Sequence, residues 1–264
     1  MDMISGMRKR VIERTARECR PQAMYGLHDP FCLAREKGWY LFRYPIGEDK
    51  TLGLSQNRSE GKVIFTNSSA LLCREIFTFA HEVGHLLLHT QPNSKVFRDD
   101  KMFVNQEQER EADYFASCLL LPRDNLRNYL EDYCQVFQGK DIDALTIAMV
   151  MHEFRVSSQT VLIALRDYKH ITSKQEQELA KMLEGNVNKY LRAVSQSDNT
   201  LLKPSNVIRY PEEFLKIIRD NYKNNKIPKK VAENFCAFSM TDFNSIFLHN
   251  HLDDEETFRK VGLT

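Results

Sequence analysis

FTFAHEVGHLLLH, residues 77–89, contains the pattern H-E-x-x-H as His81, Glu82 and His85. Ile76, Phe77, Ala80, Val83 and Leu87 recur at helical spacing, so the stretch reads as a helix with one apolar face, starting near the Asn67-Ser68-Ser69 cap. Positions four apart on a helix lie one above the other, which lets His81 and His85 aim both imidazoles at one point, the bite a tetrahedral zinc needs. Glu82 leaves at a neighbouring angle, close enough to take a proton from a zinc-activated water without being a ligand. The competing account is a chance match on a buried helix. Gly84 argues against it: a glycine there costs a free helix about 1 kcal/mol relative to alanine and makes sense where another backbone or a substrate passes close by.

A catalytic zinc wants a third protein ligand and one open position. NQEQEREADYFASCLLLP, residues 105–122, reads as a second helix, capped by Asn105, with Ala112, Phe115, Ala116, Leu119 and Leu120 as its apolar stripe up to Pro122. Its first turns carry Glu107, Glu109, Glu111 and Asp113. At 100° per residue Glu109 and Glu111 flank opposite edges of the stripe while Asp113 points away, so spacing alone leaves two candidates.

Upstream, WYLFRYPI (39–46), TLGLSQN (51–57) and KVIFTNS (62–68) are short, aromatic or β-branched, and separated by the turn signals GEDK and RSEG. They predict a small antiparallel three-stranded sheet next to the HExxH helix. Helices are expected over 7–20 and 29–38, and nearly everything beyond 123 is helical in pattern. DIDALTIAMVMHEF-RVSS-QTVLIALRDYKHI, a unit at about 141–170, reads as helix, tight turn, helix. The fold class is therefore α+β and mainly helical, with a domain over 1–170 and a helical C-terminal domain over 171–264; SQSDNTLLKPSN is the clearest linker-like stretch.

The 264 residues are 42% hydrophobic and carry a formal net charge of +1, which excludes a one-sign field for nucleic acid or an anionic membrane. Six scattered cysteines without C-x-x-C suggest reduced thiols, and no apolar run approaches a membrane span; a soluble cytoplasmic protein is expected. Arg166 and Lys169 are the only cations of the second helix at 159–171, too few to read phosphates, so direct nucleic-acid binding is not expected. From Leu201 to Lys230 cations outnumber acids, and DDEE at 253–256 reverses the sign, a pattern suited to a solvated face or to docking a protein partner.

FTFAHEVGHLLLH followed by EREADYFASCLLLP closely resembles the ImmA/IrrE-type metallopeptidases over about residues 25–170. The resemblance implies Glu111 as third zinc ligand after His81 and His85, and Glu82 as general base. Asp113 stands where the family often has asparagine, a change at a position that can touch a ligand from outside. His89 is left unassigned, and Tyr114, His152 and His170 are candidates for stabilising an oxyanion. The implied activity is a zinc-dependent endopeptidase, able to accept Mn2+, that cleaves a helix-turn-helix repressor of a phage, mobile element or stress regulon. The strand KVIFTNSS is expected to be the edge along which the substrate lies. Two other readings use the same zinc fold: a non-catalytic interaction protein and a DNA-binding regulator.

Overall fold

Ser5 starts the first helix of the protein, α1 (Gly6–Cys19), by accepting the backbone N–H of Arg8, and Pro21 prevents its continuation. The computed structural model describes residues 4–47, 50–90, 97–98, 105–134 and 142–247. After α1 come α2 (Cys32–Glu36), β1 (Tyr40–Tyr44), β2 (Gly53–Arg58), β3 (Gly61–Asn67), α3 (Leu72–Leu88), β4 (Phe97–Arg98) and α4 (Gln106–Leu120). The chain continues through α5 (Arg123–Asp132), α6 (Ala144–Phe154), α7 (Ser158–Asp167), α8 (Ser173–Leu183), α9 (Val187–Val194), α10 (Phe214–Lys223), α11 (Lys229–Phe238) and α12 (Phe243–Phe247). The α+β class is as expected, with one small sheet beside the HExxH helix.

The sheet itself differs from the expected antiparallel meander. Its order is β1-β3-β2-β4, with β1 parallel to β3 and the other pairs antiparallel. β2 and β3 form a hairpin closed by Ser59 and Glu60, in which Arg58 faces Gly61. The chain between β1 and β2 crosses over, so β1 comes to lie on the far side of β3. KVIFTNSS is consequently an inner strand with both edges paired, and it cannot be the edge that receives a peptide. β2, not β3, lies on the side of the HExxH helix where Gly53 backs onto Thr78 and Glu82.

The HExxH helix α3 is anchored at its start by backbone rather than by a capping side chain. Leu71 provides no side-chain cap. Instead Leu72 N–H donates to Lys203 O at 2.9 Å, Asn206 N–H donates to Ser68 O at 2.9 Å, and Ser68 Oγ donates to Val207 O at 2.8 Å, with Leu71 and Pro204 in an antiparallel bridge. One turn in, Glu75 is fully buried. Arg43 of β1 grips it with two hydrogen bonds of 2.8 Å, and Thr66 of β3 and Ser205 donate to it at 2.9 and 3.0 Å. Sheet, helix and the 203–207 strap are thus tied by one buried network, in which every bond is charge-assisted.

Two compact units divide at Val207. α8 and α9 belong to the first, since Leu179, Leu183 and Leu191 join its core. α6 and α7 are joined by a tight turn: Arg155 turns left-handed at φ 56° and Ser157 caps α7 by accepting from Thr160 N. The second unit closes α10–α12 over Phe214, Leu215, Ile218, Ala232, Cys236 and Ile246. The DDEE segment at 253–256 lies outside the described residues. All six cysteines are free thiols, and among the described residues no helix is long and apolar enough to cross a membrane.

Candidate metal centre

α3 and α4 pack against each other where side chains are smallest. A Cβ at Gly84 would stand 3.2 Å from Ala112 Cα and 3.1 Å from the Phe115 ring, so the glycine permits the close approach its place in the motif suggested. That approach carries the first turns of α4, started by the Asn105 side chain on Glu107 and Gln108, over the two histidines.

His81 Nε2 and His85 Nε2 lie 2.9 Å apart, and Glu109 presents one oxygen to each, at 3.2 and 3.3 Å. These three are the group of metal-ligating side chains found among the described residues, with all ligand atoms within 4.8 Å of one another. Two atoms each about 2 Å from a tetrahedral zinc are roughly 3.3 Å apart, so the spacing suits one such ion with little movement. Asp113, one turn beyond Glu109, sits 2.9 Å from His81 Nδ1 and leaves Nε2 for the metal.

Glu82 fits the same picture. It is buried, and its Oε2 has no hydrogen-bond partner, as is true of the buried Ser55 Oγ on β2. An orphaned carboxylate oxygen beside a ligand set is where a water carried by the metal would bond. Burial pushes the Glu82 carboxyl above its ordinary range, against the pull of nearby Ser55, His81 and His85. His81 moves the other way from what burial asks: its hydrogen bonds to Asp113 and Glu109 push it up to about 10. Glu109 is held far below the carboxylate range by its bonds to His81 and His85. A divalent ion between these imidazoles and the carboxylate would take over the role of a proton there.

The cleft over this group has a volume of about 260 Å3 and is bordered by Leu52 and Gly53 on one side and by Arg74, Phe77 and Thr78 on α3. Glu111, which the resemblance implied as third ligand, stands elsewhere: Arg8 Nε and Nη2 donate to it at 2.6 and 2.5 Å, and His89 Nε2 is 2.9 Å away. Tyr114 donates to Glu13, His152 is exposed, and neither these nor His170 borders the cleft. Sequence reasoning missed Ser55 and Arg8, for which no local pattern exists. The tie of Asp113 to His81 was legible in principle, because Glu109 and Asp113 are four apart on one helix.

The "Uncharacterized immunity region protein 2" of Bacillus phage phi105 is 32% identical over 71 residues, which is 27% of this chain and 45% of that protein, so the match spans less than half of the relative's length. A model of the peptidase M78 family, the IrrE N-terminal-like domain, matches residues 34–166, a segment that holds the sheet, α3, α4 and the side chains of His81, His85 and Glu109. The chain, with its HExxH helix and facing acidic helix inside that match, belongs to the peptidase M78 family.

Proposed function

We propose that the protein is a metal-dependent endopeptidase, with zinc held by His81, His85 and Glu109 and with Glu82 as general base. One observation carries this reading: two imidazole nitrogens and a carboxylate converge beside a buried glutamate that has one oxygen left over. Bound zinc would polarise a peptide carbonyl and ease deprotonation of water. The chain's own part follows from its residues. Glu82, raised by burial toward the working range of a base, accepts the proton of the attacking water and can return it to the leaving nitrogen. Asp113 orients His81. Leu52 and Gly53 border the cleft through which an extended peptide would run past the ligands. Manganese would also fit the donor set, with weaker affinity than zinc.

For the substrate we infer a helix-turn-helix repressor. The relative named for an immunity region of a phage supports a repressor-related setting. The α6–α7 pair does not favour a DNA-reading role: α6 buries seven of its eleven residues, and Arg166 of α7 is committed to Asp167 and Glu176. The cation-rich segment 209–230 of the second unit is the candidate surface for docking the substrate.

The test is to incubate the zinc-loaded protein with the repressor encoded beside its gene and weigh the products by mass spectrometry. A defined fragment is expected, and none with Glu82→Gln. A tight complex with no fragment would overturn the enzyme reading in favour of a binding protein.

A further inference from the structure

The histidine at the end of α3 and the glutamate displaced from the ligand set are connected. His85 Nδ1 lies 3.1 Å from His89 Nδ1, His89 Nε2 lies 2.9 Å from Glu111 Oε2, and Arg8 holds both Glu111 oxygens through Nε and Nη2. The side chains of His89 and Glu111 are 3% and 6% exposed, whereas Arg8, at the outer end, is 35% exposed. We propose that Arg8, Glu111 and His89 are positioning residues for the metal ligand His85, so that the N-terminal helix α1 is part of the metal site. This rests on the ligand set proposed above.

The argument is one of donors and acceptors. A guanidinium only donates, so the Glu111 carboxylate beside it only accepts. His89 must therefore present Nε2–H to Glu111, which leaves His89 Nδ1 as an acceptor when the ring is neutral. The nearest ring atom, His85 Nδ1, must then carry a hydrogen, and His85 Nε2 is left with a bare lone pair facing His81 and Glu109. One tautomer of each ring satisfies the contacts that run from Arg8 to His85 Nδ1, and the lone pair it leaves on His85 Nε2, 3.3 Å from a Glu109 oxygen, calls for a cation between them and is what a metal ligand needs. The opposite tautomer of His89 would aim a lone pair at the carboxylate. Asp113 does the same service for His81 in one step; on His85 it takes three residues and reaches another helix.

α1 is well placed to serve as the far end. Along α4 it is fastened at three levels, by Arg8 to Glu111, by Glu13 accepting from Tyr114, and by Arg20 donating to Leu119 O at 2.9 Å. Arg8 lies outside the segment matched by the family model. What binds at His85 should then steady α1, and what loosens α1 should weaken binding at His85, because coupling between two sites is reciprocal.

The experiment uses the full chain and two readouts besides activity: zinc affinity by competition with a chromophoric chelator, and amide hydrogen exchange in α1 with and without zinc. Arg8→Gln and Glu111→Gln are each expected to keep one zinc per chain but bind it about 10–100-fold more weakly, with Arg8→Lys between them and the wild type. Zinc should slow exchange in α1 of the wild type and lose that effect in Glu111→Gln. Arg8 is partly exposed, so its variants are expected to fold, which circular dichroism would verify. Wild-type zinc affinity in both glutamine variants, with zinc-independent exchange in α1, overturns the positioning role. Complete loss of zinc in Glu111→Gln, with retention in Glu109→Gln, also overturns it and makes Glu111 a ligand. A wild-type chain that takes up no zinc overturns the metallopeptidase reading, and this proposal with it.

Discussion

Glu75 and Glu82 stand on one helix, seven residues and about two turns apart, and both are buried. The first receives two bonds from Arg43, one from Thr66 and one from Ser205, with no capacity left over. The second has an oxygen without a hydrogen-bond partner. A buried carboxylate with full satisfaction is a fastening. A buried carboxylate left short, next to histidines, is held ready for something that comes and goes. The same helix supplies both, and the difference lies entirely in what the sheet offers opposite each turn.

Exchanging the two roles by mutation is the way to break this contrast. The largest effect is expected at Glu82: Glu82→Gln should cut peptide cleavage about 10²–10⁴-fold while zinc remains bound, measured by single-turnover cleavage and metal content. Next is Glu75→Ala, which leaves Arg43 buried without its partner and should destabilise the fold by about 3–5 kcal/mol in chemical denaturation. Replacing Arg43 and Glu75 together by Met and Leu should recover most of that loss, because the penalty belongs to the unpaired charge.

Gly84→Ala comes third. Helix propensity favours alanine by about 1 kcal/mol, and the clash with Ala112 and Phe115 opposes it by about 1–3 kcal/mol; a net loss near 1 kcal/mol is expected, together with weaker zinc binding as α4 is pushed off α3. The smallest effect sharpens the contrast. The folded-state pKa of Glu82 is raised by burial, so over the window above its unfolded value the native state holds a proton that the unfolded chain releases, and stability falls as pH rises. In metal-free protein, Glu82→Gln should therefore melt roughly 1–3 °C higher than wild type near pH 7, with the gain gone by about pH 4. A gain that grew toward acid would mean that Glu82 is stabilised as the anion.

The two helices were legible because burial on one side imposes a period of 3.6 on Ile76, Phe77, Ala80 and Val83, and on Ala112, Phe115 and Leu119. Gly84 announced the close helix crossing for the same local reason. Which glutamate meets the two histidines was another matter. Glu109 and Glu111 flank the stripe on opposite sides, and which side meets the histidines depends on how α4 crosses α3, a property of two helices and not of one. The parallel pairing of β1 with β3 escaped notice because three short strands with turn signals fit a meander equally well. Arg8 reaches Glu111 across 103 positions, beyond any local pattern.

The strap at 203–207 has a consequence for dissecting the chain. It lies beyond the family-matched segment, yet it supplies the carbonyl that caps α3 at Leu72 and a hydroxyl to the Glu75 network. A fragment trimmed to residues 34–166 would contain His81, His85 and Glu109 and still begin its HExxH helix with an open end. The portable part of this protein is thus longer than the part that its relatives define, and a transplant of the site into another scaffold would have to bring Lys203 to Val207 along.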